Sequence, residues 1–315
     1  MQESISTIFE GISAPASLMM EVREDTAGHP MIPRRKLYRF RQEPMSDFIG
    51  WLKGAGGYDP LLITGPTASG KSSLAEQVAA RLNQPAYIVP CHERMEVPDL
   101  FGRFVVRDGQ MVWVDGPVIA GLKDPAGAWI IMDEFDSMEP GALLGINPVL
   151  EGRKFIVPET GEFIDPVANG AKIICTGNTA GMGDQTGEYL ATKRQNVATM
   201  GRFAVMEMAY PTEEEELDIL SLHRPDLPAK IGEHMIKVAS LAREQYIAGE
   251  MQCVFCTRSL IRWAHLAIYF RKKKGVNYLM HALDRAIGFK YEPVVREALH
   301  QFTQRIFGND AITIN

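Results

Sequence analysis

The sequence predicts an α/β fold: a parallel β-sheet flanked by helices, followed by a C-terminal helical lid domain. Between residues 58 and 210, short apolar segments alternate with segments of helical periodicity, which is typical of a parallel sheet with helices on both faces. From residue 211 onward, apolar residues recur at spacings of three and four, as in helices that pack into a small bundle. These patterns predict a core at residues 58–210 and a lid at residues 211–315, preceded by an N-terminal arm and linker at residues 1–57.

Five apolar segments are the predicted strands of the core sheet. They occupy residues 61–64, 86–89, 129–133, 172–177 and 204–208. Residues 1 to about 45 mix short apolar pieces with Pro, Gly and charge, so we expect an extended arm there. At the start of the lid, Thr212 and Glu215 have the spacing of a capping box. The run of glutamates in this first turn suits the positive end of the helix and needs no ligand to explain it.

Length and charge narrow the functional classes. A chain of 315 residues, 46% of them hydrophobic, can bury one large core and a second, smaller one. The formal net charge of −6 argues against a general nucleic-acid binder, because such binding needs concentrated Lys and Arg. No apolar run approaches the roughly 20 residues that span a bilayer, and the N-terminus lacks the pattern of a signal peptide. We therefore expect a cytoplasmic protein that does not bind membranes.

The four cysteines are too few and too scattered for a disulfide framework, so reduced thiols are expected. Cys253 and Cys256 have the spacing of half a zinc site. No second C-x-x-C or H-x-x-x-H pair completes four ligands, which favours buried structural thiols, with zinc as the alternative.

A phosphate-binding loop is predicted where the first core strand runs into G-x-x-x-x-G-K-S and then into a helix. Its backbone N–H groups and the positive end of the following helix would surround a triphosphate. The predicted loop residues are Gly65, Pro66, Thr67, Ala68, Ser69, Gly70, Lys71, Ser72 and Ser73. Lys71 would reach the β and γ phosphates, and Ser72 would place its hydroxyl on Mg²⁺. ATP and Mg²⁺ are therefore the predicted cofactors.

The third predicted strand ends in two acids, Asp133 and Glu134, as in a Walker B motif. Asp133 would hold Mg²⁺ together with Ser72, and Glu134 would orient and deprotonate the attacking water. Asn178 follows the fourth strand and would hold that water in line with the γ phosphate. For Asp133 and Glu134, the alternative is a strand that merely ends in a solvated acidic turn. For Asn178, the alternative is an ordinary turn residue.

Two arginines complete the predicted site. Arg202 directly precedes the last core strand. The order of these motifs resembles that of the AAA+ ATPases, whose layout puts this position at the subunit edge, so Arg202 is expected to act as an arginine finger on the γ phosphate of an adjacent subunit. Arg258 begins a lid helix and would close on the nucleotide of its own chain. A finger supplied in trans makes oligomerisation part of the mechanism. For each arginine the alternative is a surface ion pair worth under about 1 kcal/mol.

With these motifs in place, the sequence resembles the MoxR-type AAA+ ATPases, and within them the cobaltochelatase (CobS) group, with the CbbQ and NorQ groups as near relatives. The most specific stretch is residues 177–196. Further matches lie at residues 99–102, 108–111, 133–136, 149–151 and 257–264. Two positions depart from the family pattern. Gly201 stands where an Asp usually precedes the finger, and Thr257 stands where a Pro usually precedes the lid arginine.

The resemblance implies a homo-oligomer in the form of a hexameric ring, in which an AAA+ P-loop core carries a fourth strand between the phosphate loop and the Asp-Glu strand. It also implies an insertion in the second helix around residues 104–117 and a hairpin before the Asn178 strand. Finally, it implies a companion protein with a von Willebrand A domain on which the ring acts, with cobalt insertion as the work of the cobaltochelatase group.

Two rival functions remain open. A nucleic-acid motor would need basic and aromatic residues on the hairpins, where Arg153 and Lys154 are the nearby basic residues beside three acids. A scaffold that binds ATP in order to assemble, without turnover, would have no chemical need for Glu134.

Overall fold

The structure is a computed structural model that describes residues 1–55, 57–183 and 191–308. The chain divides into two compact units. The first unit comprises Met1–Lys36, Phe40–Pro66 and Gly70–Met208. The second comprises Leu37–Arg39, Thr67–Ser69 and the chain from Ala209 onward.

The elements are numbered along the chain. The strands are β1 (Gln2–Ser4), β2 (Met19–Glu21), β3 (Leu61–Thr64), β4 (Ala86–Pro90), β5 (Gly102–Arg107), β6 (Gln110–Asp115), β7 (Trp129–Asp133), β8 (Phe155–Val157), β9 (Glu162–Ile164), β10 (Lys172–Gly177) and β11 (Ala204–Glu207). The helices are α1 (Ile5–Ile8), α2 (Gln42–Leu52), α3 (Lys71–Arg81), α4 (Val97–Phe101), α5 (Pro117–Lys123), α6 (Pro140–Gly145), α7 (Asn147–Leu150), α8 (Val197–Met200), α9 (Glu213–His223), α10 (Ala229–Ile247), α11 (Thr257–Phe270), α12 (Tyr278–Ala286) and α13 (Pro293–Phe307). Short 3-10 helices lie at Phe135–Ser137 and Gly288–Lys290.

A parallel sheet of five strands, in the order β11-β3-β10-β7-β4, forms the centre of the first unit. All five predicted strands are confirmed, with β4 one residue longer and β11 one residue shorter than expected. As the resemblance implied, β10 lies between β3 and β7. Parallel strands end at the same edge of a sheet, so the residues after β3, β7 and β10 are neighbours there.

Two antiparallel hairpins form separate two-stranded sheets outside this central sheet. The pairing of β5 with β6 inserts a hairpin between α4 and α5, which confirms the insertion expected in the second helix. The pairing of β8 with β9 confirms the hairpin expected before the Asn178 strand. Both hairpins carry exposed apolar side chains, including Val106, Met111 and Phe163.

Residues 1–21 form short strands and a short helix instead of the extended arm that the sequence predicted, whereas residues 22–41 contain no helix or strand. β1 pairs with β2, and the short helix α1 between them buries Ile5. Phe9 is also fully buried, as is Phe48 in α2. Burial of apolar side chains such as Ile5 and Phe9 stabilises this region, although Pro and Gly residues interrupt it.

In the second unit, helices pack around an apolar core that includes Met235, Trp263, Leu283 and Leu299. The buried indole of Trp263 donates to the backbone O of Leu279 at 2.9 Å. The capping box at the start of α9 is confirmed. Within the described residues, no helix combines the length and the apolar character needed to cross a membrane.

Candidate functional site

The predicted phosphate loop connects β3 to α3, and its two glycines have backbone conformations that favour glycine. Gly65 has φ of +139°, and a Cβ there would collide with the carbonyl of Met208. Gly70 has φ of 102° and directly precedes the first residue of α3. Together they turn the chain so that the N-terminus of α3 faces the loop, where its free N–H groups can bind an anion.

Lys71 is folded back into this loop. Its Nζ donates to the backbone O of Gly65 at 2.8 Å, to the backbone O of Pro66 at 2.9 Å and to Oδ1 of Asn178 at 2.9 Å. Burial lowers the pKa of the Lys71 ammonium to about 8, although the nearby Asp136, Asp133 and Glu134 carboxylates act in the opposite direction. The structure therefore brings Lys71 and Asn178, far apart in sequence, into direct contact.

Ser72 and Asp133 also meet at this edge of the sheet. The Ser72 hydroxyl donates to Oδ1 of Asp133 at 2.5 Å. A hydroxyl and a carboxylate are oxygen ligands of the kind that Mg²⁺ prefers, and Mg²⁺ usually combines one or two protein ligands with water and phosphate oxygens. The pair therefore fits the predicted metal.

Thr176 is a site residue that the sequence analysis missed. Its hydroxyl donates to Oδ1 of Asp133 at 2.5 Å and accepts from the backbone N of Glu134 at 3.1 Å. It lies on β10, two residues before Asn178, and is 1% exposed. The available signal was a hydroxyl within a strand that is otherwise apolar and buried.

Glu134 has a backbone conformation that is unusual for a residue other than glycine. Its φ of 55° and ψ of 40° lie in the left-handed region, directly between β7 and the 3-10 helix Phe135–Ser137. Such conformations are strained and persist where the surrounding structure holds them, often at functional sites. The Glu134 side chain is exposed, as a group that is to meet a water molecule must be.

Like Thr176, Asp136 is a site residue to which the sequence analysis gave no role, and its carboxylate holds the backbone of Asn178. Asp136 is 2% exposed and accepts hydrogen bonds from the backbone N of Asn178 and from Thr179. It is the last acid of the quoted motif at residues 133–136, and that position was the available signal. Of the specific stretch at residues 177–196, residues 184–190 lie outside the described residues.

Arg202 is engaged within its own chain. Its Nε donates to Oε1 of Glu151 at 2.6 Å, Nη2 contacts the same oxygen, and Nη1 donates to the backbone O of Ala198. Its side chain is 24% exposed. A carboxylate thus supports this arginine although Gly201 replaces the usual Asp. The structure groups Arg202 with Glu151, and Lys71, Ser72, Asp133 and Asn178 with one another.

Comparison with known proteins identifies the group to which this arrangement belongs. Residues 60–194 match the family described as AAA domain (dynein-related subfamily), and residues 216–306 match the family CbbQ/NirQ/NorQ C-terminal. The chain belongs to the MoxR-type AAA+ ATPases. This confirms the resemblance read from the motifs.

Two curated relatives illustrate the range of this group. Protein NorQ of Paracoccus denitrificans (strain Pd 1222) is 29% identical over 180 residues, covering 56% of this chain and 63% of NorQ. Aerobic cobaltochelatase subunit CobS of a Sinorhizobium species is 31% identical over 226 residues, covering 67% of this chain and 65% of CobS. The chain thus spans slightly less than two thirds of the length of either relative.

A solved structure supports the fold assignment. A mutant of Thermotoga maritima RuvB matches with a TM-score of 0.50 and 14% identity, over 89% of this chain and 75% of that chain. At this identity the likeness extends to the fold alone.

In this MoxR-type ATPase, Arg258 lies exposed on the first turn of α11, in the second unit. The residue before it, Thr257, donates its hydroxyl to Oε1 of Glu216 at 2.9 Å. Glu216 is fully buried and forms a bidentate pair with Arg243, at 2.7 and 3.0 Å. The interpretation that the glutamates of α9 serve the helix dipole is therefore incomplete, because Glu216 also anchors the start of the Arg258 helix.

The two lid cysteines differ in their surroundings. Cys253 is fully buried, and burial raises the pKa of its thiol to about 12. Cys256 is half-buried, with Sγ 3.5 Å from Oγ of Ser259. In residues 1–55, 57–183 and 191–308, no cluster of three or more His, Cys, Asp or Glu side chains is placed to hold a metal ion.

Proposed function

We propose that this chain is an ATP-hydrolysing motor that assembles into a ring and remodels a partner protein. The observation that carries the proposal is the meeting of Lys71 with Asn178 and of Ser72 with Asp133 at one edge of the sheet. Family membership supports nucleotide binding and hydrolysis, because the matched AAA domain belongs to ATPases.

In this proposal the loop from Gly65 to Ser73 binds the triphosphate through backbone N–H groups. Lys71 exchanges its bonds to the loop carbonyls for bonds to the β and γ phosphates. Ser72 and Asp133 would hold Mg²⁺, which would supply positive charge to stabilise the phosphates.

The chemical step follows from the remaining residues of the cluster. Glu134 accepts a proton from the attacking water as that water meets the γ phosphate, and the bond to the ADP oxygen breaks. Asn178 orients the water, so the side chain that bonds Lys71 in this structure serves the reacting group when nucleotide is present.

The two arginines have different proposed targets. We propose that Arg202 leaves Glu151 and reaches the γ phosphate of an adjacent copy in a hexameric ring, while Arg258 acts on the nucleotide of its own chain. A finger in trans is worth about 10³ to 10⁵ in rate. The isolated chain would then be nearly inactive.

We propose a protein, rather than a nucleic acid, as the client. On the β8–β9 side of the core, Arg153 pairs with Glu151 at 2.7 Å and Lys154 pairs with Asp165 at 3.2 Å. Each of these basic side chains already has an acidic partner, which makes it less available to a nucleic-acid backbone. Phe163 on β9 is 78% exposed and suits an apolar contact with a protein.

The partner we propose is a companion protein with a von Willebrand A domain. The name of the relative CobS assigns that relative to an aerobic cobaltochelatase, which makes metal insertion, with cobalt as the metal, the proposed reaction served by the motor. A scaffold without turnover is disfavoured by the exposed carboxylate of Glu134 beside the Ser72 and Asp133 pair.

Two substitutions separate ATP binding from hydrolysis. Glu134→Gln should bind ATP with unchanged affinity and lose at least about 10²-fold in turnover, because the amide cannot take the proton. Lys71→Ala should lose ATP binding itself. The measurements are equilibrium binding of a fluorescent ATP analogue and steady-state phosphate release. Turnover by Glu134→Gln at the parent rate would show that Glu134 is not the base.

A further inference from the structure

Asp136 is a buried acid that the hydrolysis steps proposed above do not use. Its Oδ2 accepts three hydrogen bonds: from the backbone N of Asn178 at 2.8 Å, from the backbone N of Thr179 at 3.0 Å and from the Thr179 hydroxyl at 3.0 Å. Its Oδ1 is also buried and meets no donor in the part of the chain that the structure describes. Among the described residues, Oδ2 therefore accepts all the hydrogen bonds of this carboxylate.

A buried acceptor without a donor is destabilising, so the burial of the Asp136 carboxylate must be offset by the bonds that Oδ2 accepts. The backbone N–H groups just after β10 have left the sheet ladder and require an acceptor. A carboxylate holds such groups more strongly than a neutral acceptor does. The bonds to Asp136 thus fix the direction of the chain at Asn178, the residue whose side chain contacts Lys71.

Gly177 permits this close approach. A Cβ at position 177 would lie 3.1 Å from both Cγ and Oδ2 of Asp136. That distance is shorter than ordinary van der Waals contact, so a side chain there would require the carboxylate to shift by a few tenths of an ångström. Glycine at the end of β10 therefore allows the carboxylate to approach the backbone without this shift.

The short helix that carries Asp136 is itself anchored. The backbone O of Asp136 accepts from the backbone N of Lys193 at 2.7 Å and from Nε2 of Gln195 at 3.3 Å. The same Nε2 donates to the backbone O of Met138 at 2.9 Å. The segment from Lys193 to Gln195 therefore fixes the backbone from which the Asp136 carboxylate projects.

We propose that Asp136 is a positioning residue of the ATPase site, whose carboxylate holds the backbone of Asn178 so that the Asn178 amide faces the reacting water. This inference rests on the proposed function, because it requires Asn178 to act on that water. A displacement of about 1 Å at such a group can reduce a rate by about 10²-fold.

The test compares kcat and KM for ATP hydrolysis in a matched set of variants of the full chain. Asp136→Ala should lower kcat by about 10²-fold with a much smaller change in KM, because the Asp136 carboxylate bonds the backbone at Asn178 and Thr179 and acts on Lys71 only through its charge. Asp136→Asn keeps one carbonyl oxygen for the three donors and should stay within about fivefold of the parent kcat. Asp226→Asn, an exposed carboxylate in the second unit, is the control for the same chemical change and should behave as the parent.

A double variant shows whether Asp136 acts through Asn178. Once Asn178→Ala is present, adding Asp136→Ala should lower kcat by no more than about twofold further, since the two residues then affect the same step. Losses that multiply in the double variant would overturn the inference. So would an Asp136→Asn kcat as low as that of Asp136→Ala.

Gly177→Ala covers the case in which Asp136→Ala does not fold. It retains Asp136 but displaces the carboxylate, and should lower kcat about tenfold at unchanged KM. A parent-like kcat in Gly177→Ala would contradict the inference. Parent-like turnover in Asn178→Ala would instead contradict the proposed role of Asn178, so the two failures are distinguishable.

Discussion

At the scale of single residues, the candidate site depends on a few polar side chains at the ends of buried strands. Asp133 receives hydroxyl hydrogen bonds from both Ser72 and Thr176. Thr176 also bonds the backbone N of Glu134, which has a left-handed conformation. One hydroxyl therefore orients the proposed metal ligand and supports the strained backbone of the proposed base.

Thr176→Val tests this arrangement with almost no change in volume. The valine leaves the N–H of Glu134 without an acceptor and removes one donor from Asp133. Loss of such a supporting contact typically reduces metal affinity or activity about 10- to 100-fold. We expect lower kcat and a higher Mg²⁺ requirement, measured as phosphate release over a Mg²⁺ titration, whereas Thr176→Ser should remain close to the parent. Parent-like Mg²⁺ dependence in the valine variant would exclude this role for Thr176.

Some residues of the candidate site can be predicted from the sequence and others cannot. Lys71, Ser72 and Asp133 were found because their chemistry depends on spacing along the chain, and spacing is visible in a sequence. Thr176 and Asp136 were not, because their partners lie 43 and 42 residues away along the chain and are brought together by strand order. Their roles in the site remain proposals that the variants above test.

At the scale of elements, the sequence predicts the central strands well and the N-terminal region poorly. β3, β7 and β10 are buried on both faces, so each is a continuous apolar run with clear ends. The helix α1 and strands β1 and β2 are three or four residues long, too short for periodicity to be recognised. Only α1 of these three elements contains buried residues, Ile5 and Ile8, and their burial depends on tertiary contacts.

The first turn of α9 shows a different limit of sequence patterns. All four of its glutamates are acids near the helix N-terminus, but Glu214 is exposed whereas Glu216 is fully buried against Arg243. A capping pattern predicts the helix start and cannot distinguish these two side chains. The difference arises because α9 packs against α10, which carries Arg243.

Glu216→Ala and Glu214→Ala form a matched pair of substitutions within this turn. Glu216→Ala leaves the Arg243 charge buried without its partner, which costs about 3–5 kcal/mol. Glu214→Ala removes an exposed acid near the helix N-terminus, worth at most about 1 kcal/mol. The free energy of unfolding, measured by urea denaturation, should therefore fall much more for Glu216→Ala. Equal losses in the two variants would show that the buried pair does not stabilise the lid.

At the scale of the whole molecule, the proposed mechanism distributes one reaction over two copies of the chain. Arg202 lies in the first unit and is bonded to Glu151, and Arg258 lies in the second unit at the exposed start of α11. In the proposal, Arg202 exchanges the Glu151 carboxylate for the phosphate of an adjacent copy. Hydrolysis would then require assembly as well as ATP.

The most direct test of this claim is phosphate release by mixed assemblies of Arg202→Ala and Glu134→Gln chains, each inactive alone. In a mixed ring, an Arg202→Ala chain retains its own Glu134, and a Glu134→Gln neighbour can supply Arg202. In a random equal mixture about a quarter of the interfaces combine the two intact residues, so a corresponding share of turnover should return. No recovery, in assemblies shown by labelled subunits to be mixed, would contradict a site shared between two copies.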